Sequence, residues 1–154
     1  MKIALATCSE LPGWEVDDKP LHVALESLGA TVSMPIWNDD VDWEQFDLTI
    51  IRTTWDYHAK KDEFIDWCKR VPRLLNNATI VAWNTHKSYL RELALGGANI
   101  APTNWISSGE HVDLSQILQS FKTSSGFIKP QVGACASDTL RFTLDTIDEA
   151  QSFI

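Results

Sequence analysis

Asp47-Leu48-Thr49-Ile50-Ile51, running directly into Arg52-Thr53-Thr54-Trp55-Asp56-Tyr57, is the stretch on which the reading of this chain turns. A short apolar run that breaks into polar residues reads as a buried strand delivering its carboxyl end to a loop. In an open parallel sheet, ligands collect at such ends. An arginine, two hydroxyls, a carboxylate and two aromatics there suit a small polar substrate with a carboxylate of its own. Arg52 offers that carboxylate a planar fork of donors. The same residues also allow a purely local arrangement, with Arg52 paired to Asp56 and the aromatics walling the loop.

Working outward, Met1-Lys2-Ile3-Ala4-Leu5-Ala6-Thr7-Cys8 reads as a first buried strand, followed by a polar loop over 9–18. Leu21, Ala24, Leu25 and Leu28 recur at helical spacing, with Pro20 near the start and Gly29 just past the end. Residues 31–36 read as a second strand, which makes 47–51 the third. Phe64, Ile65, Trp67, Cys68 and Val71 mark a second amphipathic helix that Pro72 stops. Thr79-Ile80-Val81-Ala82 reads as a short strand, and Tyr89, Leu90, Leu93 and Ala94 place a helix from about Thr85 to Gly96-Gly97. Alternation of this kind predicts a Rossmann-like α/β domain with a parallel sheet over 1–101.

After Ala101-Pro102 the pattern changes. Residues 103–106 read as a linking strand, and Leu114, Ile117, Leu118 and Phe121 as one short helix. Two strands follow, Gly126-Phe127-Ile128-Lys129-Pro130 and Thr139-Leu140-Arg141-Phe142-Thr143-Leu144, joined by a loop of small residues. Thr146 is placed to cap a last helix, with Asp148 and Glu149 in its first turn. Two strands and two short helices give a thin layer, so residues 102–154 are expected to be an incomplete second domain of α+β type. The alternative is a naturally short protein whose hairpin packs on the first domain.

Composition narrows the function. The chain has 154 residues, 44% of them hydrophobic and 22% charged, as in ordinary globular proteins. A formal net charge of −8 argues against nucleic-acid partners, which require a basic footprint. Cys8, Cys68 and Cys135 share no metal-ligand spacing and are odd in number, which predicts free thiols in a reducing compartment. No apolar run approaches a membrane span, and no secretory h-region opens the chain, so a cytoplasmic protein is expected. The seven tryptophans are read mainly as packing residues.

Further candidates lie later in the chain. Lys87, after Asn84-Thr85-His86, opens a predicted helix where its charge opposes the dipole unless an anion is bound, and Arg91 follows four residues on. Two solvated charges on an exposed face fit the spacing equally well. Lys129 ends an apolar strand beside the small-residue loop Gln131-Val132-Gly133-Ala134-Cys135-Ala136-Ser137-Asp138-Thr139. A lysine there suits phosphates with loop amides closing over them, or is simply an edge-strand lysine beside a turn. His22, His58, His86 and His111 show no metal spacing, and no nucleophile–base pair stands out, so catalytic residues are not assigned.

The order of these features, with Arg52-Thr53-Thr54-Trp55-Asp56-Tyr57, Trp83-Asn84-Thr85-His86-Lys87 and Gly97-Ala98-Asn99-Ile100-Ala101-Pro102-Thr103, resembles the ATP-grasp superfamily. The resemblance is nearest to bacterial proteins similar to the D-cycloserine-forming ligase and more distant to glutathione synthetases. It implies a pre-ATP-grasp first domain and a partial ATP-grasp domain. It also implies ATP and Mg²⁺ as cofactors, and a ligase that joins an activated carboxylate to an amine or similar nucleophile through an acyl phosphate. On that resemblance Lys87, Lys129, Gly133, Ser137 and Thr139 contact ATP, with 131–139 as the flap over the nucleotide. Arg52, Thr53, Trp55, Asp56 and Tyr57 face a small carboxylate substrate. The Mg²⁺ ligands are expected beyond this chain, leaving it inactive alone as the front part of a longer ligase. The flap has fewer glycines than the family's usual one and lacks a basic residue before Asp138-Thr139.

Other function classes meet specific objections. A receiver domain requires an aspartate where the third strand ends in Arg52, and Asp17-Asp18 lies far from the first strand. A dinucleotide enzyme wants G-x-G-x-x-G where Cys8-Ser9-Glu10-Leu11-Pro12-Gly13 stands. A non-enzymatic Rossmann-like binding or assembly module remains the alternative, dimerising through open edge strands.

Overall fold

Lys2–Thr7 (β1) has no face left for water: Ile3, Ala4, Leu5, Ala6 and Thr7 are all buried. Only a central strand covered on both sides permits this, as the unbroken apolar sequence requires. In the computed structural model, which describes residues 1–11 and 16–154, β1 lies between Thr31–Ser33 (β2) and Leu48–Thr53 (β3). Leu74–Leu75 (β4) completes a parallel sheet of order β2-β1-β3-β4, with Ile3 opposite both Val32 and Leu48 and Thr49 opposite Leu74. This is the expected Rossmann-like α/β arrangement. The chain divides into two compact units, Met1–His86 and Lys87–Ile154. That division falls ahead of the 101/102 boundary read from the sequence, because the Lys87 segment bonds within the second unit. Trp14 and the Pro12-Gly13 part of the first loop lie outside the described residues.

In the first unit, Lys19–Ser27 (α1) carries Pro20 in its first turn and ends before Gly29 at φ 84°. There the chain turns left-handed and Ala30 N–H closes on Leu25 O at 3.1 Å. Lys61–Arg70 (α2) stops at Val71, ahead of Pro72. Its buried face presents Phe64, Trp67 and Cys68 to Trp37. Trp37 meets Phe64 edge-on at 5.1 Å, Phe64 stacks on Trp67 at 5.4 Å, and Trp43 closes on Trp67 at 5.2 Å. Pairs of this geometry add about 0.5–1.5 kcal/mol each beyond area burial.

Three elements differ from the sequence reading. Thr79-Ile80-Val81-Ala82 is not a strand but the body of helix Ala78–Asn84 (α3), because Asn77 accepts from Ile80 N–H at 3.0 Å and caps it. Leu74–Leu75 takes the slot beside β3 instead. The helix expected from Thr85 begins only at Tyr89 and runs as Tyr89–Leu95 (α4). Residues 103–106 form no strand; they find no ladder partner among the described residues.

The second unit pairs Ser125–Ile128 (β5) with Leu140–Thr143 (β6) as an antiparallel hairpin. Leu114–Ser120 (α5) and Ile147–Phe153 (α6) cover one face, burying Leu114, Leu118, Phe142 and Ala150. Gln151 ties the helices together, accepting from Leu114 N–H at 3.1 Å and donating to Val112 O at 2.9 Å. Thr146 accepts from Thr143 N–H at 3.0 Å in a reciprocal capping box ahead of α6. Gly126 is required because a Cβ there would stand 2.9 Å from the Phe142 ring.

Candidate functional site

In the first unit, β3 carries Arg52 to the sheet's carboxyl edge, where its carboxylate partner is Asp18 and not Asp56. Arg52 Nε donates to Asp18 Oδ1 at 2.8 Å, and Nη2 donates to the same oxygen. Asp18 is fully buried, while the Arg52 side chain stays 38% exposed. Among the described residues Asp18 Oδ2 has no hydrogen-bond partner. Asp18 precedes α1 without capping it through its side chain; the carboxylate is committed to Arg52 instead.

The neighbours divide into supports and surface. Thr53 is buried and donates its hydroxyl to Thr7 Oγ1 at 2.7 Å. Asp56 is buried and accepts from Trp37 Nε1 at 2.8 Å, which joins the loop to the aromatic core. Tyr57 packs on Phe64 at 5.5 Å. Trp55, 42% exposed, and the outer side of Arg52 remain open to solvent at this edge. Asp18 is the residue the sequence reading passed over, and an acidic N-cap position before Lys19-Pro20 was its only local signal.

The second unit brings Lys87, Lys129, Gly133, Ser137 and Thr139 around one concavity of about 230 Å³. Lys129 lies just past β5, and Lys87 sits in the turn before Ser88 rather than in a helical first turn. Lys87 Nζ donates to Pro130 O at 2.7 Å and to Gly133 O at 3.4 Å, and its backbone N–H donates to Gln131 O at 2.7 Å. Arg91 is turned to Trp105, 4.8 Å from the ring centroid. Lys129 Nζ lies 5.4 Å from the Phe127 ring centroid.

No carboxylate pairs with Lys87 or Lys129 among the described residues. Burial holds the Lys87 ammonium below the ordinary lysine value, and the neighbouring Lys129 charge pushes it in the same direction. Two cations facing one concavity without a counter-charge fit a polyanion. The loop 131–139 is folded tightly on itself, with Ser137 N–H on Ala134 O at 2.9 Å and Thr139 N–H on Ala136 O at 3.2 Å. Cys135, Ala136 and Asp138 take left-handed φ of 52°, 57° and 50° without glycine.

Residues 3–76 match the sequence family described as D-cycloserine synthetase DcsG, N-terminal domain. The cycloserine biosynthesis protein DcsG of Streptomyces lavendulae is 27% identical over 161 residues, spanning 99% of this chain and 53% of that protein. The crystal structure of D-cycloserine synthetase DcsG aligns with a TM-score of 0.81 at 26% identity, over 99% of this chain and 54% of that one. The chain thus spans about half the length of these relatives. Residues 3–76 thus resemble the N-terminal domain of D-cycloserine synthetase, and the chain is similar to the N-terminal portion of that protein.

Proposed function

We propose that this chain is the N-terminal portion of an ATP-dependent, ATP-grasp-type ligase of the cytoplasm, joining a small-molecule carboxylate to an amine or similar nucleophile. The observation that carries the reading is the pair Lys87 and Lys129, two uncompensated ammonium groups on one concavity beneath a loop of small residues. Homology to D-cycloserine synthetase supports a biosynthetic ligase over a non-enzymatic module. ATP, taken as its Mg²⁺ complex, supplies the phosphoryl group that activates the carboxylate.

This chain's own residues bind and orient. Lys87 and Lys129 neutralise phosphate charge, and the backbone from Gly133 to Thr139 covers it, so the contribution is positioning and electrostatics. Arg52, held by Asp18, presents its remaining donors to the substrate carboxylate beside Trp55.

The test is a nuclear magnetic resonance titration with Mg·ATP. Because the relatives are about twice as long, binding is expected to be weak, with Kd near 1 mM, or roughly 4 kcal/mol. Shifts should cluster at Lys87 and in 129–139, and Lys129→Ala should abolish them while the sheet resonances stay in place. An unperturbed spectrum at saturating nucleotide would sink the nucleotide reading.

A further inference from the structure

The Lys87 ammonium is already in use. It donates to Pro130 O at 2.7 Å and Gly133 O at 3.4 Å, while the Lys87 amide holds Gln131 O at 2.7 Å. Lys87 therefore reaches three carbonyls at the root of the flap, beside Gln131, whose Nε2 donates to Ile106 O at 3.2 Å, and the flap so fastened is strained. Three non-glycine residues, Cys135, Ala136 and Asp138, stand in the left-handed region. Each costs about 1–2 kcal/mol and persists only where surrounding contacts impose it. Gly133 completes the fastening, since a Cβ there would lie 2.8 Å from Pro130 Cγ and 3.6 Å from Lys87 Nζ.

An ammonium has three protons. Two of them point at flap carbonyls, and the same group, with Lys129 beside it, faces the concavity. A phosphate oxygen is a stronger acceptor for a cation than a neutral carbonyl, because both partners are charged. We propose that Lys87 is a latch: without ligand its ammonium ties down the flap root, and an arriving polyphosphate takes that ammonium and frees the flap. The second half of this proposal rests on the polyanion-binding reading of the concavity; the first half does not. The hydrogen bond from the Lys87 backbone N–H to Gln131 O survives release and acts as the hinge tether, so the flap loosens without leaving the site.

Hydrogen exchange followed by mass spectrometry on the full chain tests it, with the flap peptide 131–139 as reporter and sheet peptides as the folding control. Lys87→Met keeps length and bulk but removes the donors. In the absence of ligand it should speed exchange of the flap peptide by roughly tenfold, the expectation for losing hydrogen bonds to a charged group. Sodium tripolyphosphate is the second probe, chosen because it has the charge but no base for the flap to close on. It should raise wild-type flap exchange toward the Lys87→Met level and leave that variant unchanged.

Equal exchange in wild type and Lys87→Met overturns the latch. A flap that stays as protected under tripolyphosphate, or becomes more so, overturns the release. The Mg·ATP titration judges the nucleotide reading separately. ATP binding with no exchange difference in Lys87→Met removes the latch and keeps the nucleotide site. Faster exchange in Lys87→Met without ATP binding keeps the latch and removes the nucleotide.

Discussion

Arg52 and Asp18 stand 34 residues apart in sequence, and their pairing decides how much of the β3 edge is available to a ligand. A fully buried carboxylate whose partner is removed becomes an expensive, uncompensated charge. Arg52→Ala should destabilise the first unit by about 3 kcal/mol in urea denaturation. A loss below about 1 kcal/mol would place the pair among weak surface ion pairs and remove its positioning role. Lys87 carries a different prediction. Since its titration lies below the ordinary 10.5, burial first and Lys129 second, the folded state disfavours the proton. Below the lowered value both states hold the proton and the burial cost is present in full. Between that value and 10.5 the unfolded chain binds more proton, so the second unit gains stability as pH rises. Lys129→Met should shift the Lys87 titration partway up, read from its Cε resonance; an unmoved titration would remove Lys129 as a cause. Neither pairing was legible in the sequence, because residues 34 or 43 apart meet only through the fold.

The strands and helices show why local sequence reads unevenly. β1 and β3 were plain because parallel central strands are apolar throughout, and α1 because Pro20 and Gly29 punctuate it. α3 was misread because Thr79, Ile80 and Val81 are strand-favouring, β-branched residues. The signal that overrides them is Asn77, three residues ahead of the amide it caps. Substituting Asn77→Ala should therefore cost about 1 kcal/mol, seen as a lower urea midpoint for the first unit. In the hairpin, Gly126→Ala drives a methyl into the Phe142 ring, buried against α5 and α6. A loss of about 1–3 kcal/mol is expected in the second unit, measured by the same denaturation, and an unaffected hairpin would show the ring free to move aside. The flap lay between these cases. Its small residues marked a turn beside Lys129, while its three left-handed residues left no mark in composition.

For the molecule as a whole, charge and the distribution of indoles set what is observable. With a net charge of −8, the chain should pass through a heparin column at physiological salt; retention would contradict the expectation that it has no nucleic-acid partner. No helix among the described residues is long and apolar enough to cross a membrane. Similarity to the relatives extends over 99% of the chain and so reaches both units. The chain's optical signals are divided unevenly between them. Trp14, Trp37, Trp43, Trp55, Trp67 and Trp83 fall in Met1–His86, and Trp105 alone falls in Lys87–Ile154. Intrinsic emission therefore follows the first unit almost exclusively. A thermal melt recorded at those wavelengths can look complete and cooperative while the half with the paired lysines is still folded, or long after it has come apart.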